Sequence, residues 1–445
     1  MTVPELAPDV VSDLLRSAWI VESARAAVYA NWGATEARFT ISQRRASSRA
    51  AVLHHTLSER GVPADQALVG PHALWIEGCA GGPHDPLGPL LLARLGDWVD
   101  AHTLSYVSSG ADRMRALGDE ERSTLVWPSA MPTPGPFGPE RGRAPVRAER
   151  KEGLRIAVLA DLHIGARHAD VLAAAAVADI NASGADVVVQ LGDLTDSGDK
   201  EQFETAAKLL AAVEAPWVTM MGNHDVYSAS EQRLAGREYF SEFFGRPPDG
   251  VLLEQAGIRL AVLDSVDHEI SPFAPFDLVT GNFLEGAGGA VVRGALSVRQ
   301  HEILAELAAP GAPAAFVFLH HPPQPFVGFP PVIFGLRDAD SGRIHATCDS
   351  GNVWGVFAGH THRNHRGPSF DGVPTQEVAA PPSFPCGYAL IDATSSGYSY
   401  HWHQISDADA LRPALELAGP IHRRYALGAP EERAFSWPAA SRGLV

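Results

Sequence analysis

The sequence is short of thiols, of basic charge and of long apolar runs, and each shortage closes off a class of protein. Only three cysteines occur in 445 residues, Cys79, Cys348 and Cys386. They are far apart, odd in number and without a C-x-x-C pair, so neither a disulfide framework nor a thiolate metal site is indicated, and a reducing compartment is expected. Lys and Arg total 35 against 52 Asp and Glu, a formal net charge of -17. That is the wrong sign for tracking a nucleic-acid backbone, so no such partner is expected. No apolar run approaches the roughly 20 residues that a membrane helix needs. The opening MTVPELAPDVVSDLLRSAW places acids where a secretory leader would be apolar. A soluble, cytoplasmic protein with no membrane segment is the expectation.

What remains is ordinary globular material, 45% hydrophobic and 20% charged, in a chain long enough for two domains. From about Asp9 to Arg122, apolar residues recur at helical spacing, as in VVSDLLRSAWIVESARAAVYANW. Amphipathic helices with short connections must bury their stripes against one another, which predicts an all-α helix bundle over residues 1–125. The stretch WPSAMPTPGPFGPERGRAPVRAER then removes backbone donors and fixes φ so often that neither helix nor sheet persists. It marks a linker over 126–150. From 151 to 445 short β-branched runs alternate with helical segments: LRIAVLA, ADVLAAAAVADINAS, DVVVQLGD, KEQFETAAKLLAAV, PWVTMMGNHD. That is β-α-β-α-β, and the later runs fit two sheets with helices outside, an α/β fold.

Five of these strands end in polar residues: ADLHIG, LGDLTD, MGNHD, FLHHPP and AGHTH. Ligands in open α/β sheets bind beyond the carboxyl ends of strands, so the five ends converge on one site. They bring Asp161, His163, Asp193, Asn223, His320, His360 and His362. Carboxylate, amide and imidazole donors without thiolate suit Mn, Fe, Co, Ni or Zn. Seven donors exceed the needs of one catalytic ion with an open position. They suffice for two divalent ions sharing a carboxylate, roughly 3.5–4 Å apart.

The chain thereby resembles the calcineurin-like metallophosphoesterases, whose signature is D-x-H, G-D-x-x-D, G-N-H-[DE], a later His and G-H-x-H. The five blocks stand in order as Asp161-Leu-His163, Gly192-Asp193-Leu-Thr-Asp196, Gly222-Asn223-His224-Asp225, His320 and Gly359-His360-Thr-His362. The resemblance covers roughly Leu154 to Ile405 and implies a four-layer α-β-β-α sandwich. It also implies that Asp161, His163 and His362 hold one ion, that Asn223, His320 and His360 hold the other, and that Asp193 bridges them. His321 is the alternative to His320. In an extended segment His360 and His362 would share a face and reach two adjacent ions. A hydroxide between the ions would attack phosphorus in line, His224 would contact the phosphate and protonate the leaving oxygen, and Asp225 would orient the His224 ring.

GNHD rather than GNHE, with GALSVRQHEILAELA ahead of FVFLHHPPQP, resembles the branch holding class III cyclic-nucleotide phosphodiesterases. A small-molecule phosphate diester is therefore the expected substrate, and a phosphomonoester the alternative. Substrate selection is expected in 267–293 and in QPFVGFPPVIFGLRDADSG, where Phe276, Phe283, Phe329 or Phe334 could stack on a base. The bundle contains no Glu-x-x-His. A di-iron redox site there, with Glu22, Glu36, His54, His55 and His102 as scattered candidates, is thus the lesser reading beside dimerisation or regulation.

Overall fold

A computed structural model describes residues 8–34, 38–64, short pieces between 66 and 77, 87–107, 109–124, 153–226, 235–266, 276–277, 282–283, 294–323, 335–370, 372–418 and 426–438. The expected linker and most of both expected substrate stretches, including Phe329 and Phe334, lie outside these residues, as does Glu36.

Four long helices open the chain: α1 (Pro8–Gly33), α2 (Arg38–Glu59), α3 (Leu87–Thr103) and α4 (Ala111–Thr124). Their apolar stripes close on a core of their own that includes Leu15, Trp19, Trp32, Leu53, Leu95 and Met114. Through this core runs a buried ionic network. Arg25 reaches Glu22 and Glu121 at 2.6 Å each, Tyr29 donates to Glu121 at 2.6 Å, and Arg49 joins Glu22 and Asp100 at 2.8 Å each. Glu22 is thus neutralised by two guanidiniums, while His54 and His55 lie exposed. Among the described residues the bundle holds no cluster of metal-binding side chains.

The second part alternates strands and helices: β1 (Leu154–Leu159), α5 (Ala169–Ser183), β2 (Val187–Gln190), α6 (Lys200–Leu210), β3 (Trp217–Thr219), α7 (Ala235–Phe244), β4 (Val251–Gln255) and β5 (Ile258–Leu263). There follow the two-residue β6 (Phe276–Asp277) and β7 (Asn282–Phe283), then α8 (Val298–Ala308), β8 (Ala315–Leu319), α9 (Asp338–Ser350) and β9 (Val353–Ala358). The chain closes with β10 (His365–Phe370), β11 (Val373–Glu377), β12 (Gly387–Thr394), β13 (Gly397–Gln404), α10 (Ala408–Leu417), α11 (Pro430–Arg433) and β14 (Ala434–Pro438). Phe276 pairs with Phe283 in a small antiparallel ribbon.

Local chemistry sets several of these boundaries. Gly184 ends α5 in the left-handed region at φ 69°, where a residue with a Cβ would be strained. Ser297 caps α8 by accepting from the Gln300 amide, and Asp407 caps α10 by accepting from Asp409 and Ala410, each supplying a partner that the first helical turn lacks.

The strands form two six-stranded sheets, ordered β14-β13-β12-β1-β2-β3 and β10-β11-β9-β8-β5-β4. β1, β2 and β3 are mutually parallel, as are β5, β8, β9 and β11. Parallel neighbours need crossovers, and α5, α6, α8 and α9 supply four of them. The inner faces meet in a core that includes Ile156, Val189, Leu260, Phe316, Phe357 and Tyr400. α5, α6, α7 and α10 cover one outer face, and α8 and α9 the other. This is the expected four-layer α-β-β-α sandwich, with helices preceding it. No helix among the described residues is long and apolar enough to cross a membrane.

Candidate metal centre

Every predicted ligand sits in a turn just beyond a strand: Asp161 and His163 after β1, Asp193 after β2, Asn223 after β3, His320 after β8, and His360 and His362 after β9. Asp161, His163, Asp193, His360 and His362 all have positive φ, from 42° to 70°. Non-glycine residues rarely adopt that region, and such strain gathers at sites the surrounding structure over-determines. The turn at 359–362 is therefore not the extended segment expected from its His-x-His alternation. A bend, not a strand, aims its two imidazoles.

They are aimed into two different clusters. His360 joins His320, with His360 Nδ1 lying 3.1 Å from His320 Nε2. His362 joins His163, their Nε2 atoms 2.9 Å apart. Asn223 Oδ1 lies 2.9 Å from His320 Nε2. Asp193 stands between the clusters, Oδ1 at 3.5 Å from His320 Nε2 and Oδ2 at 3.5 Å from His163 Nε2. Asp161 Oδ1 is 3.8 Å from His362 Nε2. The structure thus gathers all seven predicted ligands, with Asp193 facing both ways. His321 lies close to the first cluster as well, its Nδ1 2.8 Å from Ser265 Oγ.

The protonation pattern fits a pair of cations. The Leu191 carbonyl, 2.8 Å from His320 Nδ1, can only accept. His320 therefore carries its proton there and turns the Nε2 lone pair toward Asn223 Oδ1 and Asp193 Oδ1, two more acceptors. His163 turns Nδ1 toward Asp196 Oδ1 at 3.4 Å, which leaves its Nε2 lone pair facing Asp193 and His362. Asp161 Oδ2 is buried with no hydrogen-bond partner among the described residues, an arrangement that costs free energy unless a cation is bound. Burial, and then the neighbouring carboxylates, push Asp193 well above the usual carboxylate range; burial does the same to Asp161. Burial, and then His360, hold His320 well below the usual imidazole range. Acids short of counter-charge beside imidazole nitrogens make a donor set that divalent ions satisfy.

His224 lies in a 3-10 turn at His224–Val226. Its ring packs edge-on against His163, with centroids 4.4 Å apart. Its Nδ1 lies 2.8 Å from the Asp196 carbonyl, so Nδ1 holds the proton. Burial and then the neighbouring His163 lower its pKa to about 3.

Asp225 does not have the expected role of orienting this ring. Its carboxylate accepts from the amides of Leu194 (3.2 Å), Thr195 (2.9 Å) and Gly222 (2.9 Å), and from the Thr195 hydroxyl (2.8 Å). Side chains on adjacent residues of a tight turn point apart, so Asp225 turns inward and ties the turn after β3 to that after β2. Burial pushes it up to about 6 against the pull of those hydrogen bonds. Asp196 orients His224 instead, through its main chain.

Sequence reasoning missed two further partners. Ser383 Oγ lies 3.0 Å from His362 Nδ1. Nothing in the sequence near PPSFPCG flags it. Asp264, buried at the end of β5, accepts from the Met221 amide at 2.8 Å and the Gly250 amide at 2.9 Å. Another carboxylate at a strand end was the available signal. Gly222 is required sterically: a Cβ there would lie 2.2 Å from Asp193 Oδ1 and 2.7 Å from His320 Cε1.

Residues 154–364 match the Calcineurin-like phosphoesterase family. The chain is 29% identical over 208 residues to a probable cyclic nucleotide phosphodiesterase of Rhodococcus erythropolis, covering 45% of this chain and 60% of that protein. It is 30% identical over 233 residues to a probable cyclic nucleotide phosphodiesterase of Rhodopseudomonas palustris, covering 47% of this chain and 72% of that one. A dimetal phosphatase from Danio rerio is similar at 17% identity and a TM-score of 0.41, covering 56% of this chain and 95% of that chain.

Proposed function

This chain belongs to the calcineurin-like phosphoesterase family, and we propose that it is a dinuclear-metal-dependent phosphodiesterase acting on a small phosphate diester. The observation that carries the reading is Asp193, whose two oxygens each lie 3.5 Å from an imidazole nitrogen of a different cluster. Asp161, His163 and His362 would hold one ion, Asn223, His320 and His360 the other, and Asp193 both. When bound, such a pair supplies Lewis acidity at the phosphoryl oxygens and activates water for in-line attack.

The rest falls to the chain's own groups. Asp193 Oδ1 also accepts from the His224 amide at 2.8 Å, so the bridging carboxylate and the His224 backbone are placed together. The His224 side chain is 28% exposed, enough to meet a substrate. With Nδ1 donating to the Asp196 carbonyl, Nε2 is the ring nitrogen that would act on a substrate. With its pKa lowered to about 3 by burial and His163, the ring would first take a proton from solvent water and then give it to the leaving oxygen. A phosphate anion alongside favours that gain, because an opposite charge within a few ångströms stabilises imidazolium.

Both the diester preference and a nucleotide substrate rest on the GNHD branch signature and on the names of the two curated relatives. Side-by-side assays of bis(p-nitrophenyl) phosphate and p-nitrophenyl phosphate with Mn, Fe, Co, Ni and Zn test the reading, followed by cyclic nucleotides. The diester should be hydrolysed faster, and only with added metal. A protein that binds metal yet cleaves neither ester would sink the proposal, and a faster monoester would replace it with phosphomonoesterase activity.

A further inference from the structure

The turn carrying His360 and His362 leaves β9 at Ala358 and enters β10 at His365. Both of those residues are register partners of one residue, Glu377 at the end of β11. Glu377 thus sits across the stem of the excursion 359–364. Inside the excursion Arg363 reaches back to it, Nε to Oε2 at 2.6 Å and Nη2 to Oε1 at 2.8 Å. Both residues are buried, Arg363 1% and Glu377 8% exposed.

A guanidinium meeting a carboxylate through two parallel hydrogen bonds fixes direction as well as distance. The turn needs such fixing, since His360 and His362 are held at φ 70° and 51°, conformations that relax unless the surroundings impose them. Other contacts hold the turn to neighbouring segments. Asp161 Oδ1 accepts from the His360 amide at 2.7 Å, Ser383 meets His362 Nδ1 at 3.0 Å, and the Asn364 amide donates to the Ala426 carbonyl at 3.0 Å. The Arg363 fork ties the turn to its own stem.

We infer that Arg363 and Glu377 are a positioning pair for the metal centre, setting the bend that sends His360 to one cluster and His362 to the other. The inference rests on the proposed two-metal reading of that site. It separates from a merely structural ion pair because the sandwich holds a second fork to compare. Arg155 meets Asp392 at 2.7 and 3.1 Å, on β1 and β12, and Arg155 lies at the end of β1 away from Asp161.

The test titrates Co(II) into metal-free full-length protein, following the visible absorption of the bound ion and the heat of binding, with thermal melts in parallel. The variants are Arg363→Ala, Arg363→Lys, Glu377→Gln and the comparison Arg155→Ala. Wild type should take two ions per chain. Arg363→Ala and Arg363→Lys should weaken at least one of them about 10- to 100-fold, the usual effect of losing a group that orients metal ligands, and should alter the Co(II) spectrum. Lysine should fail to rescue because it offers a point charge and no fork. Arg155→Ala should lower the melting temperature while keeping both affinities.

Arg363 variants with wild-type affinities and spectrum would overturn the inference, as would equal metal loss in Arg155→Ala. If Arg363→Ala does not fold, Glu377→Gln, which keeps the side chain's size, decides by the same criterion. A wild-type protein that takes up no ion defeats the proposed function, and this inference with it. Two ions in wild type with unaffected variants defeat this inference alone.

Discussion

Asp196 and Asp225 show that adjacency in the sequence does not decide which residue orients a ring. Both belong to recognisable blocks, and the sequence offers Asp225, adjacent to His224, as the group that orients its ring. In the folded chain Asp225 is 0% exposed and, among the described residues, accepts from backbone amides and the Thr195 hydroxyl. Asp196 stands beside both His163 and His224. His224→Ala should therefore lower turnover of the diester about 10²- to 10⁴-fold, the usual range for a proton-transfer group, with metal content unchanged by elemental analysis. Asp225→Asn should act differently. Its amide nitrogen cannot accept, so one oxygen's share of the buried donors loses its partner, at about 1–3 kcal/mol each. The expected result is a lower melting temperature and weaker metal retention together, measured on the same sample.

At the scale of elements, the helices and parallel strands were the legible part. LSVRQHEILAELAA carries an apolar stripe at helical spacing with Ser297 as its cap, and α8 forms there. IRLAVL and AFVFL are β-branched and aromatic runs, and β5 and β8 form there, buried almost throughout. The bundle was legible as helices but not as a network. Glu22, Arg25, Arg49 and Glu121 read as polar residues of amphipathic helices, whereas their side chains meet in the interior from three of them. Three-residue and four-residue spacing says which face a residue occupies, not which charge awaits it on the facing helix. Removing one member should be costly because the others remain buried. Glu22→Ala leaves Arg25 and Arg49 without their shared carboxylate and should destabilise the bundle by about 3–5 kcal/mol. Hydrogen exchange should register the loss in α1 and α2 first; unchanged protection there would contradict the network's role.

For the whole molecule, the bundle core draws on residues between Val11 and Met114, and the sandwich cores on residues from Leu154 onward. Each part buries its own apolar surface. A chain beginning at residue 151 should accordingly keep two metal ions and diester hydrolysis, checked by metal analysis and the p-nitrophenyl assays. Lost metal in a folded truncation would show that the bundle completes the site. By itself the sequence determined which donors the protein offers and that they stand at strand ends, because residue type and the boundary of a β-branched run are local properties. Only the tertiary structure decided that seven donors split into two clusters across Asp193, that a left-handed bend aims His360 and His362, and that Ser383 meets His362, Asp264 the Met221 amide and Glu377 the Arg363 guanidinium. Those contacts depend on strand order and on groups up to 199 residues apart in the chain, and no local pattern records which distant segment a turn will meet.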